Sequence, residues 1–294
     1  MTQLTAPPQV SRPHPAHPAG RPRLARLAHL ARPARPARFV AGVVLGLLVT
    51  FAVVGPIVWP EAATQDLDRY LQAPTWSKPW GRDDFGRDVT ARLAHATRLS
   101  LVLSALCVAT ALLIGGTTGV LAAWAGGWCD TLLRGVAETA SALPALLIVL
   151  LVSALAAPGA LWPLYLGIAV AASIEYFRVV RSRASRVLAT DAVEAARLLD
   201  LGRWHVVRRH LWPDLRPTLV TLASLGMVTS ILAMSTLGFV KVGVQPPRTE
   251  LGLMLAEALP FFDVAPWMAL APVTVLFALT LSLWGLRSEE VVSR

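Results

Sequence analysis

The chain has 294 residues, of which 55% are hydrophobic and only 15% charged, and its mean hydropathy is +0.56. The charges are gathered in a few blocks between long apolar runs, which argues against a soluble domain with charge spread over its surface. The formal net charge of +9 is carried mostly by arginines with no interleaved aromatics and no nucleic-acid motif, so nucleic acid is not an expected partner.

Residues 1–38 are rich in Pro, Ala, Arg and His and contain no acid. Such a segment cannot bury a core, and the composition predicts a disordered basic tail. The apolar run from Phe39 to about Trp59 is long enough to cross a bilayer and too long for a typical signal peptide, so it reads as a retained first span. Residues 60–98 form a nearly charge-balanced connection.

Five further spans are predicted at about Leu99–Ala125, Ala137–Ala157, Leu161–Val180, Thr218–Phe239 and Trp267–Leu286. Pro144 should disturb the third of them. Gly42 with Gly46, and Gly115 with Gly119, have the small-residue spacing that lets helices approach closely in lipid. The expected fold is therefore all-α and polytopic, with six transmembrane helices. Six spans put both termini on one side, together with the Arg-rich tail and the 178–216 block, and the positive-inside rule makes that side cytoplasmic. Glu175, three residues before Arg178, is expected to pair with it.

The most charged internal stretch is "DAVEAARLLDLGRWHVVRRHLWPDLRP", residues 191–217, set between the fourth and fifth spans. Asp191 followed by Glu194 has capping-box spacing, and Leu188, Ala192, Ala195 and Leu199 recur on one helical face. Gly202 permits a turn. A second short helix should carry Trp204, Val207 and Leu211 on one stripe, with Arg208 and Arg209 elsewhere, and end at Pro213. Two short helices joined at a glycine make a knob that small residues such as Ala195 and Ala196 could press into a partner's groove. Taken alone, Glu194 reads as no more than a capping glutamate. His205 and His210, five apart, are expected on different faces, so no metal pair is anticipated.

These residues resemble the EAA signature of permease subunits in bacterial binding-protein-dependent ABC importers. Glu194-Ala195-Ala196-Arg197 matches its start, and Trp204 through Arg209-His210-Leu211 and Pro213 match its end. Arg178 and Arg181 match the basic pair before it. The family's glycine after the EAA helix is Asp200 here, with Gly202 two positions on, and the leucine before the final proline is Trp212. "GRDDFGRDVTARLAHATRLSL", 81–101, resembles the entry to the second span in dipeptide, oligopeptide and nickel permeases of the "C" type, through Gly81, Asp83, Asp84, Gly86, Arg87 and Asp88. Most of these charges, read singly, fit a solvated turn with local ion pairs, while Asp84, Arg87 and Asp88 could shape an outer vestibule. "GVQPP", 243–247, matches the same subfamily, although Met234 stands where an acid is common and Lys241 where a glycine is common.

The resemblance implies an importer permease subunit for peptides, nickel or a metal–chelator complex, docked through Asp191, Glu194, Ala195, Ala196, Arg197, Gly202, Trp204, Arg208, Arg209 and Pro213 to an ATPase. It also implies a second homologous permease, two ATPase subunits and an external solute-binding protein. No HExxH, GxSxG or phosphate loop is present, and neither of the two lysines, Lys78 and Lys241, follows a glycine. The chain is thus expected to hold no catalytic set, metal or cofactor of its own, with ATP and Mg on the partner ATPases. Cys107 and Cys129 fit no zinc spacing and read as unpaired thiols. The reading of another class is an ATP-independent channel or scaffold.

Overall fold

A computed structural model of the protein describes residues 35–142, 144–154 and 160–286. Most of the predicted basic tail lies outside these residues. The described residues are helical, without a named strand. In chain order the helices are α1 (Arg35–Val58), α2 (Val89–Ala125), α3 (Gly127–Ser141), α4 (Ala145–Ala154), α5 (Trp162–Leu188), α6 (Asp191–Leu198), α7 (Gly202–Val206), α8 (Trp212–Phe239), α9 (Leu251–Ala258) and α10 (Trp267–Gly285). A π-turn, Val207–Leu211, fuses α7 to α8.

Five continuous helical stretches are long and apolar enough to cross a membrane: α1, α2, α5, Gly202–Phe239 and α10. The third predicted span is not continuous. It is the pair α3 and α4, broken just before Pro144. Proline has no N–H to continue the ladder of α3. Its carbonyl instead starts α4, accepting from Leu147 N at 2.8 Å. The last residues of that predicted span, 155–157, lie outside the described residues.

Helix α2 starts at Val89, well before the predicted Leu99, because Asp88 caps it. The Asp88 carboxylate accepts from Thr90 N at 2.8 Å and Ala91 N at 3.4 Å. The helix stops where Gly126 turns to φ +61°. Helix α9, which the apolar pattern did not announce, is capped in the same way by Glu250 and packs against α8 and α10.

Helix α2 is the central mast, and its main partner is α5. The Gly115/Gly119 spacing makes that contact: a Cβ on Gly115 would lie 2.3 Å from Ser173 O, and one on Gly119 2.9 Å from Phe177 O. Gly46, by contrast, faces open space, so the Gly42/Gly46 pair builds no such seam. Tyr176 on α5 donates to Leu222 O of α8 at 2.6 Å, satisfying a buried hydroxyl over the space left by Gly226. Buried Leu93, Ile231, Leu251, Met254 and Leu279 join α2, α8, α9 and α10 at the other end. Helix α1 leans on this frame with little of its surface buried, Gly55 meeting Ala94 and Ala41 meeting Gly285. Glu175 is exposed and makes no ion pair with Arg178, whose guanidinium reaches toward Ala137 O at 3.5 Å.

Candidate functional site

The two ends of the bundle carry the residues singled out in the sequence. At the arginine-rich end, α5 and α8 are tied by Arg183, whose Nε and Nη2 meet the Asp214 carboxylate at 2.6 and 3.0 Å. A second two-pronged pair joins Arg181 to Asp130 on α3. Two-pronged arginine–carboxylate contacts fix orientation as well as distance. They hold the base from which α6 and α7 project.

The knob differs from its predicted form in four respects. Thr190, not Asp191, is the residue before α6, and its hydroxyl turns back to donate to Val187 O at 2.7 Å. Asp191 is therefore the first helical residue, with Glu194 in the same turn, where both acids face the positive helix end. Second, the buried face is Val193 and Ala196, packed with Val206 under Trp124 and Leu188. Ala195 points outward, whereas Ala196 serves the chain's own core. Third, of the predicted stripe Leu211 is buried and Val207 half-buried, but Trp204 is 73% exposed and Val206 is buried in its place. Fourth, Pro213 does not end a helix. It sits in the first turn of α8, and the ladder steps to Trp212 N donating to Val207 O, five residues back. That wider turn also brings the rings of His205 and His210 to 6.1 Å between centroids, closer than their spacing suggested. No group of three or more metal ligands occurs among the described residues.

The turn after α6 answers the substitution of the family glycine. Asp200 itself takes φ +52° and Gly202 φ +71°. Leu201 N donates to Ala196 O at 3.1 Å and Asp200 N to Arg197 O at 3.0 Å, the paired bonds of a Schellman end. Lys241 repeats this after α8, at φ +62°, with Val242 N bonded to Leu237 O at 2.9 Å. Both departures keep the left-handed backbone and carry its strain. Asp200→Gly or Lys241→Gly is expected to raise stability by up to about 1 kcal/mol, part of the gain being returned by the freer unfolded chain. Thermal unfolding in detergent measures it.

What the knob offers outward is apolar and basic. Leu198 is 82% exposed, Leu199 71% and Trp204 73%, with Leu201 and Trp212 also exposed. Glu194, Arg197, Arg203, Arg208 and Arg209 surround them, and Arg197 lies 6.0 Å from the Trp124 ring centre. Behind the knob, a groove of about 950 Å³ runs between α2 and α8, lined by residues such as Leu113, Gly116, Val120, Leu215 and Val220, with Arg216 its one charged group.

At the opposite end the 81–88 motif is not a solvated turn. Asp83, Arg87 and Asp88 are buried. Asp83 Oδ1 accepts from Phe85 N and Arg87 N at 2.9 and 2.8 Å, and its Oδ2 from Arg87 Nε at 2.6 Å and Arg92 Nη1 at 2.5 Å. Arg92 reaches on to Glu257 of α9. Arg87 Nη2 lies 3.6 Å from both Asp84 and Glu257. Lys78 closes on Asp88. Gly81 and Gly86 hold φ +63° and +68°, and a Cβ on Gly86 would strike Asp66 O at 1.8 Å. Burial pushes the Asp84 carboxyl above its usual range, with the Asp83 charge adding to it. Burial likewise raises Glu250, against the four donors that favour its charged form: Ser235, Leu253 N, Gly252 N and Ser100.

Residues 115–287 match the family described as binding-protein-dependent transport system inner membrane component. The chain belongs to this family. It is 32% identical over 254 residues to the di/tripeptide transport system permease protein of Pseudomonas aeruginosa, covering 83% of this chain and 84% of that one. It is 29% identical over 231 residues to a dipeptide transport system permease protein of Alkalihalophilus pseudofirmus, covering 78% and 76%. The glutathione transport system permease protein of Pectobacterium atrosepticum is 29% identical over 244 residues, covering 82% and 81%.

The chain is thus a multi-pass inner-membrane transport subunit, not an enzyme. The family match contains the whole knob, α8 and α9, and begins after the 81–88 motif. Arg92, Glu250 and Glu257 complete the buried networks at the motif's end and were not singled out in the sequence. Glu250 could have been found from its position before an apolar octet, as a capping carboxylate.

Proposed function

We propose that this chain forms half of the translocation path of an ATP-driven importer for peptides and couples to a cytoplasmic ATPase through α6, α7 and the π-turn. The observation that carries the reading is the knob: five large apolar side chains left exposed among arginines, on two short helices, the turn between them and the start of α8. A patch of that kind asks for a protein partner. Its fusion to α8 makes it a lever. Closure of an ATPase pair on ATP and Mg would pull the knob, and the Arg183–Asp214 tie would pass the displacement to α5 and α8 together. The groove between α2 and α8 would then change its opening.

The excess of arginine supports a cytoplasmic side for the knob and both termini, by the positive-inside rule. The 81–88 cluster and α9 then face outward, toward a solute-binding protein. A second homologous permease supplies the other half of the path, and two ATPases supply the nucleotide sites this chain lacks. The relatives' names favour peptides over nickel or a metal chelate.

A mild-detergent pull-down of the tagged chain from native membranes, with stoichiometric partners identified by mass, tests this. ATPase subunits and a second polytopic permease are the expected result. A chain recovered alone, conducting solute without nucleotide, would favour the channel reading instead.

A further inference from the structure

A second pocket, of about 550 Å³, opens at the end of the bundle opposite the knob. One wall is a single face of α2: His95, Arg98, Leu99 and Val102, spaced three, four and seven apart. Leu161 and the 247–249 turn close it, bringing Arg248 to the same space. The turn is held in place on both sides. Thr249 Oγ1 reaches Arg92 O at 3.4 Å, and the next residue, Glu250, is bonded to Ser100 of α2 and Ser235 of α8.

Two guanidinium groups and an imidazole therefore share one cavity, and among the described residues no carboxylate lines it. Neither Arg98 nor Arg248 is in an ion pair among the described residues, although acids and arginines pair throughout the neighbouring 81–92 cluster. His95 Nε2 is buried with no hydrogen-bond partner. Charged side chains within a membrane helix are costly and face a water-filled path or a partner charge. The remaining lining is apolar except for Thr249, whose hydroxyl is turned to Arg92 O.

We infer that this pocket is a carboxylate-receiving subsite for the transported peptide, with Arg98 and Arg248 taking the C-terminal carboxylate and Leu99, Val102 and Leu161 the adjoining side chain. The inference rests on the importer reading above. A cavity of this size suits a ligand of a few residues. An arginine pair suits a carboxylate, which accepts two parallel N–H bonds from one guanidinium. The same face of α2 continues by heptads, 95 to 102 to 109 to 116, into the groove behind the knob. The subsite thus stands at the head of the path, where an incoming anion would be caught and then released inward.

The test uses the assembled importer in proteoliposomes and two readouts. In the first, Leu99→Cys is labelled with a thiol reagent in the presence of dialanine, dialanine amide or glycerol phosphate. Dialanine should slow labelling and its amide should not, and Arg98→Gln with Arg248→Gln should abolish the protection. Equal protection by the amide, or protection surviving in the double variant, would overturn the subsite. Protection by glycerol phosphate but not dialanine would give the pocket to a lipid headgroup, and also overturn it.

The second readout is ATP-driven dialanine uptake at saturating loaded binding protein. The double variant should be about tenfold slower, as expected for a lost charge-assisted hydrogen bond, and Arg98→Lys should fall between the two, since lysine keeps the charge and loses the two-pronged bond. Uptake at the parental rate in the double variant would refute the inference. Absence of ATP-driven uptake in the parent would refute the importer reading instead, and the labelling result would still decide the pocket.

Discussion

Arg92→Leu is expected to destabilise the protein by about 3–5 kcal/mol, the range for removing one partner from a buried charge network. Three carboxylates, Asp83, Asp84 and Glu257, share the two guanidinium groups of Arg87 and Arg92. Without Arg92, Arg87 alone must balance three acids in a space from which water is largely excluded. The same contacts hold α9 and the 81–88 turn to the start of α2, so the loss is mechanical as well as electrostatic.

Asp83→Asn in the Arg92→Leu background should recover part of the loss, since it removes a carboxylate that has lost one of its two arginine partners. Asp84→Asn should behave oppositely. Burial raises that carboxyl, so its charged form is held at a cost at neutral pH, and the amide should leave stability equal or slightly higher. The sign also fixes a pH dependence. A raised folded pKa means that the native state binds the extra proton, so the parent should gain on Asp84→Asn as the pH falls through the raised pKa. Thermal unfolding in detergent across pH reads all of these. An Arg92→Leu protein as stable as the parent would mean that the cluster contributes nothing net.

The cluster is also where local sequence pattern and structure part. Hydropathy placed the start of the second span at Leu99 because Arg92, His95 and Arg98 interrupt the apolar pattern. The helix nevertheless begins at Val89, since Asp88 caps it and Arg92 is neutralised by Asp83 and by Glu257. Glu257 is 165 residues away, beyond the reach of any local pattern. The outer motif was legible as spacing but not as a buried network, for the same reason.

Backbone devices were partly legible. Pro144 announced the break before α4, and Gly115 with Gly119 announced a close helix contact, though not that its partner is α5. Asp200 and Lys241 hid two left-handed turns behind side chains that seldom adopt them. The π-turn had no sequence sign except Pro213, which had been expected to end a helix rather than lie just beyond a widened one. The knob's outward face was misassigned because an eight-residue helix offers too few apolar positions to fix its phase: Ala192 and Ala195 scored as apolar, while Val193 and Ala196 were the pair buried.

That corrected phase decides which substitutions separate folding from coupling. Leu199 and Trp204 are exposed and lie outside the knob's buried cluster, so Leu199→Glu with Trp204→Glu should leave thermal stability within about 0.5 kcal/mol of the parent. The same pair should lower ATPase co-purification and ATP-driven uptake by about 100-fold or more, because two central apolar anchors at an interface are each worth about 2 kcal/mol. Glu194→Arg should weaken both in the same direction, by placing a further positive charge beside Arg197 and Arg203. Val206→Asp is the control of opposite character: it is 3% exposed, under Trp124 and beside Val193, and should unfold the knob and lower stability itself. Uptake, assembly and melting temperature measured on one set of vesicles distinguish these outcomes. If Leu199→Glu with Trp204→Glu, or Glu194→Arg, left assembly and uptake intact, the ATPase would have to grip the chain elsewhere. The arginines of the α5 end would then be the next surface to alter, since Arg178 and Arg186 are exposed there without a carboxylate partner among the described residues.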